Sequence, residues 1–197
     1  STLSPSSAAS DVYKRQSFEF ARSDFRDITS AGVRLLGGDA VEKVSAKFAN
    51  LPAGPHRATL MAEELSARLT ARLKSLAALE DTHDEIASLP VDEQLRLFGE
   101  VFDPQSDEEA RTLALVYLEE KHADALRAMD AMEWLDIDRV AVRLLGREGL
   151  TSVEWVYLKM ALTGLGNPEA RYVMIDEAQD YSQGQLAVLA RYFRRAH

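Results

Sequence analysis

Apolar residues return every three or four positions along most of the chain, the spacing of helices that bury one face. Leu65, Leu69, Leu73, Leu76 and Leu79 form one such stripe, with Arg68, Arg72 and Lys74 outside it, and predict a helix over residues 59–79. Ala110, Leu113, Tyr117, Leu126, Met129 and Met132 predict a second, long helix over residues 107–133, with Ser106 and Glu109 spaced as a capping box at its start. Shorter helices are expected over residues 39–49, 82–88 and 91–101. The punctuation agrees, because Leu51-Pro-Ala-Gly-Pro55, Pro90 and Asp103-Pro104 are turn or boundary signals.

From Thr151 the pattern changes. Thr151 and Glu154 are spaced as a capping box for a helix over residues 153–162, which Gly164 and Gly166 terminate. After the loop Gly166-Asn-Pro-Glu-Ala170, the apolar run Tyr172-Val-Met-Ile175 predicts a short buried strand. Asp176 and Glu177 stand at its C-terminal end, followed by Ala178, Gln179, Asp180 and Tyr181. Ser182 and Gln185 then open a last helix, with Leu186, Leu189, Ala190 and Phe193 on its inner face. The first sixteen residues, five of them serine, carry no apolar periodicity and read as a non-native or disordered leader. The expected organisation is a leader over 1–16, a helical region over 17–150 and an α/β segment over 151–197. The expected fold class is mainly α with a short β element.

Composition narrows the function. The 197 residues, 46% apolar and 28% charged, suffice for one domain or two small ones and exclude global disorder. Cysteine is absent, which removes disulfides, thiolate metal sites and a Cys nucleophile together. A net charge of −9 argues against a free-standing nucleic-acid binder, which needs clustered Lys and Arg. No apolar stretch is long enough to span a membrane, and no signal peptide is expected from the first residues given. The acidity is local: Glu80–Glu109 holds eleven acids against one base, Arg96. That segment reads either as a solvated face or as a patch that meets a basic partner surface.

His56, His83, His122 and His197 have no metal-face spacing and are expected at the surface. Trp134, Trp155 and Tyr157 sit on apolar helical faces and are expected to pack in a core rather than stack on bases. Arg191, Arg194 and Arg195 are expected to solvate the outer face of the last helix.

The candidate chemistry lies at the end of the apolar run. In a parallel α/β sheet, ligands gather beyond the carboxyl ends of the strands, and two neighbouring carboxylates there can divide the labour of nucleotide hydrolysis. Asp176 can hold the Mg²⁺ that neutralises a triphosphate, since Mg²⁺ prefers hard oxygen ligands. Glu177 can polarise the attacking water as general base. Gln179, both donor and acceptor, can sense the γ-phosphate or orient that water, and Asp180 can anchor the loop. Taken alone, an apolar run followed by Asp-Glu is also an ordinary strand end facing solvent.

The whole string Val173-Met-Ile-Asp-Glu-Ala-Gln-Asp-Tyr-Ser182 is more specific. It resembles motif II, the Walker B segment, of superfamily 1 helicases of the UvrD/Rep type. Tyr181-Ser182 and the preceding helix-Gly-Asn-Pro stretch look most like the HelD branch, helicase-IV-like motors that act on RNA polymerase. The close match covers about residues 150–197, and the preceding helices are similar only in general character to the insertion this branch carries. The resemblance implies part of a RecA-like α/β P-loop NTPase domain with a helical insertion, in a cytoplasmic, monomeric enzyme using ATP and Mg²⁺, with DNA and RNA polymerase as partners. It gives Asp176 the magnesium role, Glu177 the catalytic-base role, and Gln179 and Asp180 the coupling of nucleotide state to neighbouring motifs. No Gly-x-x-x-x-Gly-Lys-Ser/Thr string occurs, so the cradle for the phosphates is missing from these residues. The chain is therefore expected to be an internal fragment, inactive alone. The competing expectation is a non-catalytic helical module that binds a partner through residues 80–109.

Overall fold

The computed structural model describes residues 18–146, 148–166, 174 and 181–193. Among these the chain is mainly helical, with nine α-helices and one two-stranded antiparallel sheet. It divides into two compact units. One comprises the residues up to Arg26, Glu42–Met61 and those from Leu135 onward; the other comprises Asp27–Val41 and Ala62–Trp134.

The second unit begins with a hairpin, β1 (Ile28–Ser30) against β2 (Val33–Leu36), joined by Ala31-Gly32. Both turn residues have positive φ, 46° and 74°, the left-handed conformation that matches a two-residue turn to strand twist. Asp27 accepts a hydrogen bond from the Gly38 amide (2.7 Å) at the start of α1 (Gly38–Lys47). In α2 (Pro55–Ala77) Leu65, Leu69 and Leu73 of the predicted stripe are buried and Leu76 is half-buried, but Leu79 lies past the end of the helix and is exposed; Ala77 takes the inward position there. Two short helices follow, α3 (Glu80–Ala87) and α4 (Val91–Phe98); Gly99 at φ 75° stops α4 earlier than the apolar pattern predicts.

The long helix expected over 107–133 is two helices, α5 (Asp107–Lys121) and α6 (Ala123–Asp130), broken at His122. The cause is tertiary. His122 is not at the surface, as expected, but only 1% exposed, and its Nδ1 lies 3.0 Å from Ser30 Oγ on β1. At the start of α5, Ser106 Oγ accepts from the Glu109 amide (3.1 Å), but the Glu109 carboxylate reaches back to the Gln105 amide (2.6 Å), one residue beyond the expected capping box.

The first unit packs a short 3-10 turn (Arg22–Asp24) on α7 (Ile137–Leu145), with α8 (Ser152–Thr163) and α9 (Gln183–Tyr192) completing it. Phe25 pairs with Leu135 in an isolated antiparallel bridge, and the Asp136 amide donates to the Asp24 carbonyl (2.8 Å). α7 lies where the sequence reading places no element. The Arg57 side chain, 2% exposed, ties this unit internally: Nη1 donates to Glu19 Oε2 and Leu51 O, and Nη2 donates to Ser45 O and Oγ.

Candidate functional site

Asp176, Glu177, Gln179 and Asp180 lie outside the described residues, as does the predicted strand apart from Met174. Met174 is 97% exposed and in no strand, where a buried strand position was expected. What the structure positions is the frame on either side of that segment.

On the upstream side, the capping box opening α8 is complete. Thr151 Oγ1 accepts from the Glu154 amide (3.2 Å), and Glu154 Oε2 accepts from the Thr151 amide (2.9 Å). The helix ends as predicted at Gly164, which adopts φ 71°. Thr163 Oγ1 accepts from the Leu165 amide (3.2 Å), so the exit is held by the helix's own side chain. Gly166 then passes so close to the end of α9 that a Cβ there would lie 2.6 Å from the Tyr192 carbonyl oxygen.

On the downstream side, Ser182 and Gln185 form the second complete capping box: the Ser182 amide donates to Gln185 Oε1 (2.7 Å) and the Gln185 amide donates to Ser182 Oγ (3.3 Å). Val153 and Val156 of α8 and Leu189 of α9 make a small core that Tyr181, Val188, Tyr192 and Phe193 cover. The chain therefore leaves one helix at Gly166 and rejoins its packed neighbour at Tyr181. Gly166 and Tyr181 thus both lie against the same pair of packed helices.

A polar cluster that sequence reading missed lies in the second unit. Ser30 Oγ donates to Asp124 Oδ1 (2.5 Å), and His122 Nδ1 lies 3.0 Å from the same oxygen. The single hydroxyl proton faces Asp124, so Nδ1 carries a proton and donates to Ser30. Serine, histidine and aspartate meet here, but the order is wrong for nucleophilic catalysis, because the imidazole does not accept the serine proton. Ser30 is also buried. The cluster is a tie between hairpin and helix break. Burial, with Lys121 beside it, pushes the His122 pKa below its ordinary value, and the Ser30 hydrogen bond holds Asp124 below the ordinary carboxylate range.

The other histidines differ from it. His56 is exposed, His83 is half-buried with Nε2 2.8 Å from Ala77 O, and His197 lies outside the described residues. Trp134 is fully buried and Trp155 and Tyr157 partly so, as expected for core packing. Arg191 is exposed, and Arg194 and Arg195 lie outside the described residues.

In the first unit a cavity of about 710 Å³ opens beside α7, lined by Ser23, Asp138, Arg139, Val142, Arg143 and Leu150 among others. Its cations are already committed, Arg143 to Asp24 (2.6 Å) and Arg139 to Asp136 (3.5 Å).

The acidic stretch of the second unit is partly self-compensated. Glu85 receives hydrogen bonds from Lys121 Nζ and Tyr117 Oη, both 2.6 Å, and these hold its carboxyl below the ordinary range. Burial and the Glu85 carboxylate raise the Tyr117 pKa. Arg96 bridges Glu93 (2.6 Å) and Glu120 (2.5 Å).

Among the described residues, no group of three or more His, Asp or Glu side chains is arranged to hold a metal, and no helix is long and apolar enough to cross a membrane. No family model, curated protein or solved structure matches the chain.

Proposed function

We propose that this chain is part of the first motor domain of an ATP-dependent helicase or translocase of the UvrD/Rep type, nearest the HelD branch. The observation that carries the reading is the string Val173–Ser182, in which an apolar run delivers Asp-Glu-Ala-Gln-Asp immediately before a helix. Two features of the frame support it: a glycine-stopped helix precedes the string, and a helix capped by Ser182 follows it. The expected RecA-like sheet supplies the crevice, and the helices of residues 17–150 are the insertion.

In this reading Asp176 would hold Mg²⁺, which would supply charge neutralisation on the triphosphate; a carboxylate is the hard oxygen donor that this ion prefers. Glu177 accepts a proton from the attacking water. Gln179 orients that water or senses the γ-phosphate, and Asp180 anchors the loop that relays nucleotide state. The loop that cradles the phosphates comes from polypeptide beyond these 197 residues. The parent acts in the cytoplasm as a monomer, moving on DNA or releasing RNA polymerase.

The test begins with the adjoining coding sequence, which is expected to encode a Gly-Lys-Ser/Thr phosphate loop upstream. In the full-length protein, Glu177→Gln is expected to lower Mg²⁺-dependent ATP turnover by about 10²- to 10⁴-fold while leaving nucleotide binding intact. The 197-residue chain alone is expected to show no turnover. A parent without such a loop, or one whose turnover survives Glu177→Gln, overturns the proposal.

A further inference from the structure

Helix α4 buries a polar side chain beside the half-buried Leu97 and Phe98 and leaves two apolar ones outside. Its buried residue is Gln94, whereas the apolar residues one turn apart, Val91 and Leu95, are 57% and 46% exposed. The reason is the Gln94 amide. Nε2 donates to Leu89 O (2.8 Å) in the turn before the helix, and Oε1 accepts from the Phe102 amide (2.8 Å) in the segment after it. A side chain stitching both flanks points inward, with Phe98 one turn on beside it, while Val91 in the first turn and Leu95 stay exposed.

The stretch of chain that carries that strip is acidic and only partly compensated. Arg96 and Lys121 are already taken by Glu93, Glu120 and Glu85. Glu80, Asp81, Asp84, Asp92, Glu100 and Asp103 are exposed and make no ion pair among the described residues. Two more apolar side chains of the same stretch, Leu79 and Val101, are also about half exposed. An exposed apolar strip in a stretch rich in unpaired acids marks a contact surface rather than a solvated face, because solvation needs the acids and not Val91 and Leu95.

We propose that the outer face of α4 docks a basic amphipathic helix of a protein partner, whose apolar side chains cover Val91 and Leu95 and whose Lys or Arg residues meet Asp92 and Glu100. The charge decides among occupants. Nucleic-acid phosphates and anionic lipid surfaces are repelled by this face, whereas a basic helix gains both steering and apolar contact. The proposal does not depend on the motor reading, since it uses no residue of the string Val173–Ser182.

The test uses the 197-residue chain and a fluorescent synthetic helical peptide with Leu on one face and Lys flanking it. Controls are the same peptide with Glu for Lys, the same peptide with Ser for Leu, single-stranded DNA, and phosphatidylserine vesicles. The Lys-Leu peptide is expected to bind saturably, more weakly at high salt, and at least about tenfold more tightly than either altered peptide. Val91→Ser with Leu95→Ser, and separately Asp92→Asn with Glu100→Gln, are expected to weaken it about tenfold with the circular dichroism unchanged. Equal binding of the Ser-substituted peptide, insensitivity to both double variants, or preferential capture of DNA or vesicles overturns the proposal.

Discussion

The carboxylate of Asp24, closed off from solvent, receives two hydrogen bonds from the guanidinium of Arg143, Nη2 to Oδ2 at 2.6 Å and Nε to Oδ1 at 3.1 Å. The Ala21 amide adds a third (2.8 Å), and the guanidinium lies over the Phe18 ring, 4.6 Å from its centroid. Removing the cation leaves a buried charge uncompensated, so Arg143→Met is expected to cost about 3 kcal/mol in urea unfolding. Arg143→Lys is expected to recover only part of this, because an ammonium cannot reproduce the two-pronged geometry. A loss below about 0.5 kcal/mol would show that water already screens the pair.

His122 makes the second unit sensitive to acid. Its folded pKa lies below the ordinary 6.5 because burial, and secondarily Lys121, disfavour the imidazolium; Asp124 and Glu85 oppose this more weakly. Above about pH 6.5 both folded and unfolded chains carry neutral imidazole, and this group adds no pH dependence. Below it the unfolded chain takes up a proton first, so stability falls until the lowered folded pKa is passed. The urea midpoint is expected to drop as the pH falls through about 6.5, and His122→Gln is expected to flatten that drop. An unchanged slope in the variant would place the titration elsewhere.

The hairpin turn can be improved. Ala31 holds φ 46°, a conformation that penalises a Cβ and that asparagine tolerates. Ala31→Asn is therefore expected to stabilise the protein by about 0.5 kcal/mol or more, read as a higher melting temperature.

Glycine is required where the frame closes. Gly166→Ala places a methyl group against the Tyr192 carbonyl and is expected to cost about 2 kcal/mol. Thr151→Ala removes a helix cap and is expected to cost about 1 kcal/mol. If Gly166→Ala proves as mild as an exposed substitution, the close approach of Gly166 to α9 is not maintained in solution.

The legible parts of the sequence were those with local causes. Leu65, Leu69 and Leu73 of the α2 stripe and the boxes at Thr151–Glu154 and Ser182–Gln185 each depend on residues within a few positions, and each is present. The break at His122 was not legible because Ser30, which imposes it, lies 92 residues away. The inward Gln94 of α4 escaped for a related reason: its bonds reach Leu89 before the helix and Phe102 after it, and the apolar period alone does not show them. The hairpin strands are too short for alternation to be read. α7 did carry a signal, Ile137, Val140, Ala141, Leu144 and Leu145 between Asp136 and Gly146, in a region where no element was expected. For Asp176, Glu177, Gln179 and Asp180 the string itself remains the whole argument.

The contact between Ser30 and His122 also orders events in time. Residues 107–130 favour an unbroken rod by local preference alone, and the bend needs a hairpin that arrives from far up the chain, against the entropy of closing so wide a loop. The kink is thus expected to form late in refolding: Ser30→Ala should speed unfolding far more than it slows folding, whereas Ala114→Gly within α5 should slow folding.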